Sequence, residues 1–187
     1  MSHRKVALVT GASSGIGKEC AVLLCDKGYR VYGTSRQAHP LSRQRAASDL
    51  SSPLLTMIHM DVDQDASVQV GIETIVAIEG RLDTVVNCAG FVLAGAIEET
   101  TTAEAKAQFE TNFFGTLRVC RAVLPTMRAQ RSGCIVNIGS IAGLIALPFQ
   151  GMYSAAKSAI EGLTEALSLE VKDFGIRVVV VEPGDCR

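Results

Sequence analysis

Six stretches dense in branched apolar residues recur along the chain, near 5–10, 30–35, 54–60, 82–88, 133–139 and 176–182. Runs such as VALVT, TVVN and IRVVVVEP are continuous rather than alternating, the pattern of strands covered on both faces, as in a parallel sheet. Parallel neighbours need long crossovers. Segments of helical period near 15–28, 65–79, 103–130 and 152–174 can supply them. The alternation predicts an α/β fold with a mainly parallel sheet. At 187 residues, 48% of them apolar, the chain is long enough to bury one core, and no repeat or linker divides it, so residues 1–187 are expected to form one domain. The polar, basic segment 36–53, punctuated by Pro40 and Pro53, reads as a loop with room for one short helix.

Composition removes several function classes. Eighteen basic residues balance nineteen acidic ones for a net charge of −1, which is no footprint for nucleic acid. The six cysteines, at 20, 25, 88, 120, 134 and 186, form no C-x-x-C and sit in or beside apolar segments. Reduced, mostly buried thiols are expected rather than a disulfide framework. The N-terminal apolar run meets glycines too early for a secretory signal, and no apolar stretch approaches the ~18–20 residues of a membrane span. A cytoplasmic protein is expected. The histidines, at 3, 39 and 59, are too scattered for a His-based metal site.

Directly after the first strand comes TGASSGIGKE, residues 10–19, opening a helix. Glycines 11, 15 and 17 permit a tight turn and close backbone approach to a pyrophosphate, whose charge a helix N-terminus favours. Two familiar phosphate motifs do not fit. A Walker A loop needs four residues between its first glycine and Gly-Lys, followed by Ser or Thr, whereas five separate Gly11 from Gly17 and Glu19 follows Lys18. A Gly-x-Gly-x-x-Gly fingerprint begun at Gly15 puts Cys20 at its last glycine.

The second strand ends VYGTSRQ without the acidic residue that usually accepts from the ribose 2′-hydroxyl of NAD. Arg36 stands there instead, able to pair with a 2′-phosphate in a bond worth roughly 1.5–3 kcal/mol. NADP is therefore expected over NAD; the alternative is an ordinary solvated arginine. At the end of the fifth strand, Ser140 lacks the glycine two positions earlier that a nucleophile elbow requires, and no histidine lies downstream. Tyr153 and Lys157, four apart on one helical segment, share a face. Tyrosine needs its pKa depressed by roughly 3 pH units, about 4 kcal/mol, to act near neutrality. A cation about 4 Å away supplies on the order of 4 kcal/mol at an effective dielectric near 20.

Taken together, TGASSGIG at 10–17, NCAG at 87–90, Asn112 in NFFG, Ser140, Tyr153-x-x-x-Lys157 and EPG at 182–184 resemble the short-chain dehydrogenase/reductase family in type and order. NCAG departs from the family's N-N-A-G in its second residue. The resemblance implies a Rossmann-type doubly wound sheet of order 3-2-1-4-5-6 and hydride exchange between NADP(H) and a carbonyl or secondary alcohol. It implies that Tyr153 exchanges a proton with the substrate oxygen, that Lys157 binds nicotinamide-ribose hydroxyls and lowers the tyrosine pKa, and that Ser140 hydrogen-bonds the substrate. Asn112 would hold a water linking the lysine to solvent. Cofactor contacts are implied for Gly11, Ser13, Ser14, Gly15, Ile16, Gly17, Arg36, Asp61, Val62, Asn87, Ala89, Gly90, Tyr153, Lys157, Pro183 and Gly184. Asp61 and Val62 would meet the adenine, although Asp61 also suits a plain turn or N-cap, and Asn87 would tie neighbouring strands.

The run IAGLIALPFQGM resembles a G-L-x-x-L-P-F of steroid and retinoid dehydrogenases. Leu144, Leu147, Phe149 and Met152 then either line an apolar substrate pocket or pack the core. A lipophilic ketone, aldehyde or secondary alcohol is the expected small-molecule partner, and family members form homo-oligomers. The family's chain continues past the Pro-Gly into a substrate-covering segment and a seventh strand, whereas this one ends at Arg187. A truncated form is expected, the alternative to an enzyme being a noncatalytic dinucleotide-binding or interaction protein.

Overall fold

The computed structural model describes residues 4–37 and 54–185. Nearly all of the loop expected at 36–53, together with Cys186, lies outside them. The strands are β1 (Val6–Thr10), β2 (Arg30–Ser35), β3 (Leu55–His59), β4 (Thr84–Asn87), β5 (Gly133–Ile138) and β6 (Ile176–Val181). They form one parallel sheet of order β3-β2-β1-β4-β5-β6, the expected order with its switch between β1 and β4. The helices are α1 (Gly15–Asp26), α2 (Asp65–Glu79), α3 (Thr102–Phe109), α4 (Gly115–Gln130), α5 (Ile141–Leu144) and α6 (Gly151–Val171), with a 3-10 turn at Lys172–Phe174. Among the described residues no helix is long and apolar enough to cross a membrane.

The period-2 alternation of buried strands divides the core in two. Val6 and Leu8 of β1 join Tyr32, Ile135 and Val178 under α2, α4 and the C-terminal half of α6. Ala7 and Val9 face the other way, with Val31, Met57 and Val86 against Ala21 and Cys25 of α1. All five β1 residues are buried, which is why their run reads as uninterrupted hydrophobicity.

The predicted helix over 103–130 is interrupted. A single π-turn at Glu110–Phe114 separates α3 from α4, and the Gly115 N–H reaches back to the Glu110 carbonyl. Tertiary contacts explain the extra residue. Asn112 is clamped by Phe91, its Oδ1 accepting from the Phe91 N–H (3.0 Å) and its Nδ2 donating to the Phe91 carbonyl (2.9 Å). Gly115 packs so closely on Val62 that a Cβ would lie 2.8 Å from its Cγ2. Arg118 donates to the Val62 carbonyl (3.2 Å) and pairs with Asp65 and Glu110. Bulges of this kind recur at functional sites, and none of these partners is adjacent in sequence.

Candidate active site

The carboxyl ends of β1, β2, β4 and β5 open onto one cleft of about 700 Å³, within the ~300–1,000 Å³ usual for cofactor and ligand sites. Every sequence-predicted site residue lines it except Asn87. That side chain is buried, donating to Asn137 Oδ1 (2.8 Å), while Asn137 Nδ2 donates to Thr164 Oγ1 (2.9 Å). It braces β4, β5 and α6 from within. Asn87 thus makes the strand-tying bonds expected of it, and its buried Oδ1 has no partner.

At the β1–α1 turn, side chains are excluded by backbone. A Cβ on Gly17 would sit 2.4 Å from the Gly11 carbonyl oxygen, and one on Gly11, where φ is +65°, would sit 2.9 Å from Ala89 Cα. Thr10 Oγ1 accepts from the Cys88 and Ala89 N–H groups, both at 3.0 Å, joining the ends of β1 and β4. Ser14, the N-cap of α1, makes no side-chain capping bond. The helix therefore keeps N–H groups for an anion.

Beside this turn, Thr34, Ser35, exposed Arg36 and Gln37 line the cleft. Thr34 Oγ1 is buried with no hydrogen-bond partner. Across from them, Asp61 Oδ1 accepts from the Asp63 N–H (3.1 Å), so the turn reading of Asp61 holds alongside its place in the cleft. Asp63 accepts from Thr111 Oγ1 (3.0 Å) through Oδ2, and its buried Oδ1 has no partner. Thr34 and Asp63 escaped sequence reasoning because neither residue type is unusual after a strand. An orphaned buried oxygen shows only in three dimensions.

At the other end, Ser140 caps α5, its Oγ accepting from the Ala142 N–H (3.1 Å). Tyr153 and Lys157 project from the first turns of α6, with Lys157 Nζ 5.7 Å from the Tyr153 ring centroid. The ammonium donates to the Ile138 carbonyl at 2.5 Å. Only 7% of Lys157 is exposed, and this burial lowers its pKa from 10.5 to about 8. Cys88, in the place of the second asparagine of N-N-A-G, has its thiol pushed up to about 12, chiefly by burial.

The expected apolar segment lies outside the lining of the cleft, between Ser140 and Tyr153, which do line it. Leu144 is 60%, Leu147 38% and Phe149 69% exposed, which rules out core packing for these three. Met152 is half-buried. Their loop is held to the one after β4 by a bond from the Gly95 N–H to the Phe149 carbonyl (2.8 Å) and by Ile97 against Gly151. Phe91, Val92 and Ile97 of that second loop are also exposed.

A family profile described as short chain dehydrogenase matches residues 5–187. The chain belongs to the short-chain dehydrogenase/reductase family. Among its relatives, 3-ketodihydrosphingosine reductase of Bacteroides thetaiotaomicron is 44% identical over 182 residues, covering 97% of this chain and 64% of that protein. Retinol dehydrogenase 8 of Homo sapiens is 39% identical over 184 residues, covering 96% and 58%. The chain thus spans less than two thirds of either relative's length. Of solved structures, a short-chain dehydrogenase from Streptomyces avermitilis matches with a TM-score of 0.92 at 41% identity, covering all of this chain and 68% of that one. ElxO with NADP bound matches with a TM-score of 0.89 at 33% identity, covering 97% and 73%.

Proposed function

We propose that this short-chain dehydrogenase exchanges a hydride between NADP(H) and a lipophilic carbonyl or secondary alcohol, with Tyr153 as the proton-transfer group. The observation that carries this reading is the convergence of Ser140, Tyr153 and a buried Lys157 with the glycine turn on a single cleft.

The residues present fit the dinucleotide. Gly11 and Gly17 leave no room for a side chain where backbone meets backbone beside the cleft, Thr34 Oγ1 and Asp63 Oδ1 await hydrogen-bond partners, and Arg36 offers a guanidinium for a 2′-phosphate. NADP(H), when bound, supplies or accepts the hydride. Lys157 holds a positive charge beside Tyr153 below its pKa near 8, favouring tyrosinate at the moment of proton transfer. The Ser140 oxygen is already engaged as an acceptor, so its O–H is left to donate to the substrate oxygen. Both polar atoms of the Asn112 side chain are committed to Phe91. A water in the proton path is placed beside Asn112, whose backbone carbonyl accepts from Thr116 Oγ1 (2.9 Å).

The substrate class follows from the exposed apolar side chains flanking Tyr153, which gain by covering an apolar body. Two relatives are named for 3-ketodihydrosphingosine and retinol, each a long apolar molecule with an oxygen function. The test is NADPH turnover on a panel of short and long-chain carbonyls. Tyr153→Phe is expected to cut turnover by about 10²–10⁴-fold, the usual contribution of a positioned acid, with NADPH binding retained. Unchanged turnover would remove Tyr153 from the mechanism.

A further inference from the structure

Lys157 is the most deeply buried charged side chain at the site, and one backbone carbonyl does not offset the loss of water around an ammonium. The other groups acting on it are Cys88 at the end of β4 and Glu161, one turn further along α6. Cys88 remains a neutral thiol wherever Lys157 titrates. That leaves a carboxylate.

Glu161 lies on the same face of α6 as Lys157 and reaches towards the ends of β5 and β6. Its Oε1 is buried without a hydrogen-bond partner and occupies the space beside Gly139, where an added Cβ would fall 2.7 Å from it. Gly139 follows Ile138, whose carbonyl receives the Lys157 ammonium, and its N–H donates to the Val181 carbonyl (2.8 Å). The residue after Val181 is the exposed Glu182. Burial first, and then the Glu182 carboxylate, raise the pKa of Glu161, while Lys157 lowers it. A carboxylate oxygen held in this position is costly unless a cation compensates. The glycine at 139 keeps open the space it needs.

We propose that Glu161 is the counter-ion of Lys157, a positioning residue that favours the charged lysine beside Tyr153, and that the neighbouring Glu182 has no such role. The catalytic consequence rests on the reading of Tyr153 and Lys157 given above; the charge coupling itself does not.

The experiment is an NMR titration of the lysine ε-methylene groups in the whole protein, with the Lys157 signal assigned by its loss in Lys157→Met. Wild-type protein is expected to show a midpoint near pH 8. Removing the carboxylate in the isosteric Glu161→Gln disfavours the ammonium, so the midpoint falls, by about one pH unit for a partly screened pair. Glu182→Gln removes the same charge nearby and is expected to leave the midpoint in place. Retention of the wild-type midpoint in Glu161→Gln, or an equal fall in Glu182→Gln, overturns the proposal. Where turnover is followed in parallel, its alkaline limb should move to lower pH with the NMR midpoint in Glu161→Gln. A midpoint that moves without the limb supports the counter-ion and counts against Tyr153–Lys157 as the reacting pair.

Discussion

The glycine turn of the cleft and the apolar segment before Tyr153 are built on opposite principles. At two glycines of the turn backbone meets backbone and a Cβ collides: the space beside Gly17 is closed by Gly11, and that beside Gly11 by Ala89. In the segment between Ser140 and Tyr153, Leu144, Leu147 and Phe149 are exposed, and their loop touches the one after β4 through a few contacts such as Gly95 to Phe149. The cradle's specificity lies in excluded volume, which no other residue type can supply. The segment's lies in apolar area, which many residue types can supply. The first should therefore tolerate almost no substitution and the second a good deal.

Substitutions can break or sharpen this contrast. The largest effect is expected for Gly17→Ala, whose Cβ has no escape from the Gly11 carbonyl. Overpacking against backbone costs on the order of 2 kcal/mol or more, and a fluorescence titration should show NADPH affinity falling at least about thirtyfold by the corresponding tenfold-per-1.4 kcal/mol rule. Arg36→Ala touches the rim of the cradle through one charge. It is expected to reduce the preference for NADPH over NADH by about ten- to a hundredfold, and equal losses for both cofactors would place the 2′-phosphate elsewhere.

Smaller effects belong to the apolar segment. Leu147→Ser should raise KM for a long-chain carbonyl about fivefold, from roughly 1 kcal/mol of lost apolar contact, while kinetics on a short carbonyl stay unchanged. A parallel loss on both substrates would mean the side chain supports the loop rather than the ligand. Phe149→Asn should have the smallest effect. Phe149 holds φ at +61°, a left-handed conformation that asparagine adopts more readily. Calorimetry should find the variant stabilised by about 1 kcal/mol or less.

How much could be read in advance follows the same division. Continuous runs such as VALVT marked the parallel strands because both faces of each are covered, and the four-residue step from Tyr153 to Lys157 placed the two on one helix face. The glycines stood out because a residue type is itself the evidence where a Cβ cannot fit. The π-turn at 110–114 had no local signature: helical period runs through it, and the Phe91 clamp on Asn112 joins residues 21 apart in sequence. Asn87 could be read as a tie between strands, but its particular partner, Asn137, is 50 residues away and emerges only from the packing.

Sequence alone, through period, spacing and residue type, determined the alternation of strands and helices, the glycine turn and the pairing of Tyr153 with Lys157, because each depends on neighbours within one or two turns of chain. Tertiary structure decided the rest. Whether Lys157 is buried, which carbonyl its ammonium meets, where Asn112 makes its hydrogen bonds and which apolar side chains stay in solvent all depend on the meeting of β4, β5, β6 and α6. Desolvation and Coulomb energies arise from distances through space, and chain spacing does not encode them.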